Sequence, residues 1–419
     1  MSVPAALAAH YRQLLGPVTP SKITDINLDI AGQHLDIALE WPKGRKAPRP
    51  ECRKRCGLQD HLPERTRRHL DSMQFKTFLH CRIPRSACSS HGARTVTVPS
   101  ATSESQWTVL FEAFAVVVME RVASLSKAAT LLGVSWKEAH TLRRYAVARG
   151  LARRRVDRIE YVGIDEKSVG TKERCITVRT DLTGERVLEV APSKSSAAAT
   201  TVLAVIPVAV RDDVRAVAMD MSAAMEKACR EELPGADFVH DKFHIEKHLS
   251  DAMGTVRARE HKKLLAGGIP IFTRSRYLFL RRPERWSGKR RAQCREIKRE
   301  FGAARFAHYR IGRMWAAKES FRPFWNHVSA TRAAKYFRRR YFWSTHSRIP
   351  LLIRVAKTID AHLDNILTYF HHGITNAFTG GMHSKIQEIE AAARGFRNFC
   401  HYCTAILFYY AKTDMKPLR

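Results

Sequence analysis

The sequence predicts a multi-domain α/β protein, and three observations carry that reading. Its 419 residues exceed what one hydrophobic core usually organises. Hydrophobic residues make up 45 % of the chain, enough to build several cores. The hydrophobic period also changes along the chain. Polar and apolar residues alternate at the start, helical spacing takes over near Trp107, and strands alternate with helices from about residue 158.

Each part follows from its local pattern. In residues 20–48, Ile23, Ile26, Leu28 and Ile30, then Leu35, Ile37 and Leu39, alternate as a β-hairpin does. A stretch rich in Cys, Arg and His, from Cys52 to His91, reads as a loop closed by the extended run Thr95–Pro99. Trp107–Val122 reads as a buried helix. Residues 124–150 read as two helices, the first capped by Ser126 and ended by Gly133, the second capped by Ser135 and carrying Lys137, Arg143 and Arg144. That is the outline of a helix-turn-helix, with ordinary helix packing as the alternative.

From residue 158 the order is strand, strand, strand, helix, strand, helix, strand, helix, which is the order of an RNase-H-like core. Residues 250–370 are helical in pattern and strongly basic, and 374–411 return to amphipathic helix. The expected divisions are 1–100, an N-terminal β module with a zinc-binding loop; 101–152, the helix-turn-helix; 153–250, the first part of the core; 251–370, an all-helical insertion; and 371–419, the C-terminal helical part of the core.

Charge narrows the class of partner. Lys and Arg number 72 against 40 Asp and Glu, a net charge of +32. Nucleic acid is the expected partner, because neutralising phosphates releases counterions. No apolar span or amphipathic anchor argues for a membrane. The start, MSVPAALAAHYRQLLG, has no signal-peptide pattern, so a cytoplasmic location is expected, with nine cysteines serving as thiols or metal ligands.

Two acids stand out. Asp165 follows Tyr-Val-Gly-Ile and Asp220 follows Val-Ala-Met, so each reads as a carboxylate at the end of a buried strand. Burial makes an unpaired carboxylate costly, and a metal offsets that cost. Two-metal phosphoryl chemistry needs such carboxylates on rigid strand ends. A turn or a helix cap would explain either acid alone. Glu166 reads as a solvated loop residue. Asp241 and His244, three apart on one helical face, read as a helix cap that binds a phosphate or a metal-bound water, or else as an N-capping Asp beside a surface His.

Cys52-x₃-Cys56 with Cys88-x₂-His91 form a four-ligand zinc set by spacing, with Cys81, His61 and His69 in reserve, or else are free thiols. Arg53, Lys54, Arg55, Arg65, Arg67 and Arg68 would then lie near phosphates. Cys400 and Cys403 read as core thiols. In 274–313, Tyr277, Trp286, Phe301 and Tyr309 interleave with cations, a composition suited to backbone contact and base stacking. A second basic block, Arg332 to Arg348 with Trp343, continues it. Arg143, Arg144, Arg281, Arg282, Lys289, Arg290 and Arg291 are the expected DNA-binding residues.

GIDE, the AMDMS strand end, PGADFVHDKFHIEKHL and ITNAFTGGMHSKIQEIEAAARGFRNF together resemble the insertion-sequence transposases of the ISL-three type, over nearly the whole chain. The N-terminal Cys/His block resembles that family's zinc-binding domain, although the family has Cys-x₂-Cys where this chain has Cys52-x₃-Cys56. The resemblance implies a DDE triad, Mg²⁺ or Mn²⁺ as cofactor, structural Zn²⁺, and double-stranded DNA as substrate, both as terminal inverted repeats and as target. Synapsis of two ends implies a homodimer. Asp165 and Asp220 take the first two acid positions, with Asp241 and His244 as auxiliaries. The third acid, four residues after Asn376, is Gly380 here, and the family's next Asn is His383. His383 and Glu388 are weak substitutes. The expected function is therefore a transposase whose strand cleavage is lost or severely weakened. The alternatives are a silent transposase-derived repressor or architectural protein, and a metal nuclease without strand transfer.

Overall fold

The computed structural model describes the chain except residues 1–4, 16–19, 43, 49–54, 89–91, 97–104, 156–157, 171–173, 303–305, 307–308 and 418–419. Two compact units form: Met1–Arg154 with Ile389–Arg419, and Arg155–Glu388.

The first unit starts with helix α1 (Ala5–Leu14) and a sheet built from β1 (Lys22–Asp29), β2 (His34–Glu40), β5 (Leu58–Arg68), β6 (Lys76–Cys88) and β7 (Gly92–Thr95). A separate short pair comprises β3 (Ala47–Pro48) and β4 (Arg55–Cys56). The expected hairpin is β1–β2, antiparallel, with Ile26 opposite Ile37. The order β1-β2-β6-β5 then joins β2 to β6 in parallel. Leu15, Leu35, Ile37 and Leu79 pack together on this sheet.

Most of the stretch read as a Cys/His loop is therefore the β5–β6 pair. Its alternation is hidden because Asp60 occupies a partly inward position. The Arg85 guanidinium meets it from β6 at 2.6 Å, so a charged pair stands where an apolar residue would signal a strand.

Helix α2 (Val109–Arg121) is capped by Thr108, whose side chain accepts from the Phe111 amide. Helix α3 (Leu125–Leu132) starts at Ser124, not Ser126, and ends on Gly133 at φ +63°, a left-handed position that glycine adopts without strain. Helix α4 (Trp136–Arg153) opens on a full capping box: Ser135 accepts from the Glu138 amide and Glu138 accepts from the Ser135 amide. The C-terminal helix Phe399–Tyr410 packs into the same unit. Its Tyr409 hydroxyl donates to the carbonyls of Met119 (3.1 Å) and Val122 (3.0 Å). It buries Tyr402, Ile406 and Phe408, while Cys400 is exposed and Cys403 half-buried, so these thiols sit at the edge of the core and not inside it.

The second unit holds β8 (Tyr161–Val169), β9 (Arg174–Asp181), β10 (Arg186–Pro192), β11 (Ala216–Met219) and β12 (Asp237–His240). The sheet order is β10-β9-β8-β11-β12, antiparallel from β8 to β10 and parallel from β8 to β12. Helices α5 (Ser196–Ala204), α6 (Val208–Arg211) and α7 (Ala223–Glu232) bury Val202, Leu203, Met225 and Cys229 against Ile164, Val217 and Met219. Helix α8 (Lys242–Ala266) leaves the sheet and enters a helical array that includes Arg310–Phe321, Ala330–Thr345 and Pro350–Ala361.

That array has its own core, in which Ile245 and Leu249 of α8 meet Phe321, Phe324, Phe337 and Leu352. Trp286 stacks on Trp315 at 6.0 Å, and Tyr309 packs against the same core. Two of the aromatics read as base-stacking residues therefore hold the array together. Tyr277 is exposed and lies under the Arg276 and Arg281 guanidinium groups. Among the described residues no helix is long and apolar enough to cross a membrane.

Candidate active site

Asp165 does not end its strand. It lies in the middle of β8, paired with Val178 of β9. On the other side, β11 pairs with β8 only as far as Gly163↔Ala218. Asp165 and Asp220 each stand two residues beyond that last pair, so the parallel register puts them abreast where the central sheet opens. Neighbouring strands lie about 4.8 Å apart. Glu166, read as a loop residue, is a half-buried strand residue opposite Thr177.

The electrostatics are those of crowded acids. Burial raises Asp165 to about 7; the charges of Asp220, Asp241 and Glu166 add to it, while the Glu166 N–H, donating to Oδ1 at 2.8 Å, opposes it. Burial and Asp220 raise Glu166, and burial raises Asp241. Asp220 Oδ1 is buried with no hydrogen-bond partner. A bound cation would resolve this frustration, and carboxylate oxygens are the donors that Mg²⁺ and Mn²⁺ prefer. Asp165 and Asp220 would hold it. Among the described residues, the set of three metal-type side chains whose ligand atoms all lie within 4.8 Å of one another is Glu226, His240 and His362, outside this site.

Asp241 stands at the start of α8 without capping it through its side chain; its Oδ1 accepts instead from the Asn376 amide at 3.3 Å. His244, one turn on, brings Nε2 to 3.8 Å from Asp165 Oδ1. The helix Ala377–Ala392 supplies the other wall. The Asn376 side chain donates to the Ile164 carbonyl at 3.0 Å, and Thr379 meets Thr180 at 2.7 Å. His383 puts Nδ1 at 3.6 Å from Asp165 Oδ2. Burial, then Lys167 and His244, lower His383 to about 4, so it is neutral at pH 7.

Asn376 served in the sequence only as a landmark, and here it pins the helix to β8. Gly163 makes that approach possible, since a Cβ there would meet Thr379, Thr180 Oγ1 at 2.5 Å and Asn376 Oδ1 at 2.8 Å. Gly380 follows Asn376 by four and precedes His383 by three, so it shares their helix face. A Cβ at Gly380 meets nothing within 4 Å. Glu388 is exposed and about 12 Å further along the helix axis.

The zinc set is only partly in view. Cys52 and His91 lie outside the described residues, as does the Cys88 side chain; Cys56 is half-buried. His69 is buried with Nδ1 at 2.8 Å from the Thr108 hydroxyl, and Cys81 packs against the core, so these two are engaged elsewhere; His61 is exposed.

Among the expected DNA-binding residues, Arg143 is corrected: it is 3 % exposed, because it lies on the face of α4 that also buries Ala139, Leu142 and Ala146. Arg67 and Arg68 are likewise buried. Arg68 donates to the His69 carbonyl and lies over Phe78 and Phe111. Arg144, Arg281, Arg282, Lys289 and Arg291 are exposed and Arg290 half-exposed, with Arg282 held by Glu246 at 3.3 Å.

The sheet order, with two aspartates abreast on its first and fourth strands, defines a mixed α/β protein consistent with the RNase-H-like class of metal-dependent phosphoryl-transfer enzymes. The chain belongs to the ISL3-type DDE family, whose model, described as a transposase, matches residues 162–406. It is 22 % identical to the transposase for insertion sequence element IS1001 of Bordetella parapertussis, across 88 % of this chain and 89 % of that protein. It is 25 % identical to the transposase for insertion sequence element IS1557 of Mycobacterium tuberculosis, across 93 % of this chain and 92 % of that protein.

Proposed function

We propose that this chain is an insertion-sequence transposase that binds terminal inverted repeats as a homodimer and whose own strand cleavage is lost or severely weakened. The carrying observation is the face of the helix Ala377–Ala392. Asn376 and His383 reach the Asp165 strand from it, and between them Gly380 offers no carboxylate.

In this reading Asp165 and Asp220 would hold divalent cations, which would supply Lewis-acid activation of a water and of a 3′-hydroxyl. Asn376 fixes the helix against β8, and neutral His383 orients Asp165 without adding charge. His244 and Asp241 border the same opening. The α3–α4 pair lies along the major groove, with Arg144 on the outer face of α4. The basic helical array tracks the phosphate backbone near the cleavage site, and the N-terminal module carries zinc through Cys52, Cys56, Cys88 and His91.

The silent repressor or architectural reading is favoured by the same Gly380, and any measurable cleavage by the native chain would exclude it. Purified native chain and Gly380→Glu are compared on cognate ends with Mg²⁺ or Mn²⁺, uncut ends reporting cleavage and pre-cut ends reporting joining. Glu fits the open space at Gly380, so the variant is expected to gain cleavage and joining by about 100-fold or more, the scale of one well-placed catalytic group, at unchanged DNA affinity. Native cleavage as fast as that of the variant would sink the proposal. Cleavage without joining by Gly380→Glu would favour the plain nuclease.

A further inference from the structure

A second set of metal-type ligands lies in the second unit. Glu226 comes from α7, His240 is the last residue of β12, and His362 stands between the helices Pro350–Ala361 and Leu363–Leu367. Their ligand atoms all fall within 4.8 Å of one another. Tetrahedral zinc, with metal–nitrogen bonds of about 2.0 Å, needs ligand atoms about 3.3 Å apart, so the cluster closes on an ion by small side-chain rotations.

His240 is 1 % exposed. Its Nε2 takes only a long contact of 3.4 Å from the Asn365 amide. Such a buried polar atom costs free energy unless something binds it. The His362 ring meets His240 edge-on at 5.1 Å.

Glu226 is oriented for the same task. Arg230 donates to its Oε1 at 2.6 Å, leaving the other carboxylate oxygen for a ligand. Although burial raises it, that bond holds the carboxyl below its usual value. A carboxylate ligand steadied by an outer hydrogen bond is the usual support for a metal.

We propose that Glu226, His240 and His362 hold a Zn²⁺ ion that ties the helical array to the sheet of the second unit. Two imidazoles and one carboxylate suit zinc and leave a fourth position for water. His240 pairs with Met219, the residue before Asp220, and precedes Asp241. The ion therefore braces the strand ends that present both acids, without touching them.

The test uses the full chain stripped by a chelator, with Zn²⁺ titrated against a chromophoric competitor and circular dichroism as the folding control. His362→Ala and Glu226→Gln are each expected to bind one equivalent fewer than the native chain, while Cys400→Ser, an exposed thiol in neither set, keeps every equivalent. Arg230→Ala, which leaves all three ligands, is expected to weaken it by roughly 10–100-fold, as loss of an outer partner does. Native stoichiometry and affinity in both folded ligand variants would overturn the site, whatever the DNA assays give.

Discussion

Asp165 carries a charge problem that only its surroundings reveal. A carboxyl raised to about 7 is still largely protonated at pH 6, and a metal ligand must be ionised. The sign for stability follows from linkage. The folded state binds this proton more tightly than the unfolded one, so the group's contribution is greatest below about pH 4 and is lost as pH rises to about 7. The metal-free chain is therefore expected to lose stability across that window more steeply than Asp165→Asn. Mn²⁺ binding should tighten by up to about tenfold per pH unit below 7 and then flatten. Thermal melts and Mn²⁺ titrations at stepped pH check both. Parallel pH profiles for native chain and Asp165→Asn would refute the assignment. Adjacency to a strand was legible at this residue. Its mid-strand position was not, because the opening of the sheet depends on where β11 stops, and β11 is another segment.

Among the elements, the helix Ala377–Ala392 shows how a site can depend on a side chain that is absent. Its approach to β8 rests on Gly163, where any Cβ would overlap Thr379, Thr180 and Asn376. Gly163→Ala is expected to push the helix outward, break the Asn376 bond to the Ile164 carbonyl and lower stability by about 1–3 kcal/mol, the scale of overpacking. Denaturant melts measure the loss, and a variant as stable as the native chain would show that the helix is not seated there. The α3–α4 pair was readable in the sequence because its signals are local: Gly133 at the turn, and Ser135 with Glu138 at the cap. The β5–β6 pair was not, since Asp60 and Arg85 satisfy each other across strands, a relation invisible within either segment. Arg143 misled for a related reason. Its type suggests a surface, and only the helical phase set by Ala139, Leu142 and Ala146 turns it inward.

For the whole molecule, a net charge of +32 makes salt the discriminating variable. Each phosphate neutralised contributes about 0.9 to the slope of log affinity against log salt. Arg281, Lys289 and Arg291 are exposed and Arg290 half-exposed, all in one stretch of the second unit, whereas Arg282 is already engaged by Glu246. Replacing Arg281, Lys289, Arg290 and Arg291 together with Ala should flatten the slope by up to about 3–4 and weaken binding most at low salt, with melting unchanged. Arg143→Ala should act in the opposite manner, lowering stability because it empties a buried position while leaving the slope of the folded fraction intact. Fluorescence anisotropy on duplex DNA between about 50 and 200 mM salt reads both. A quadruple variant with the native slope would remove the helical array from the DNA interface and leave the first unit to carry the contacts. The charge of the chain would then act through Arg144 and the β module, and the array would serve only to hold the sheet through its own aromatic core.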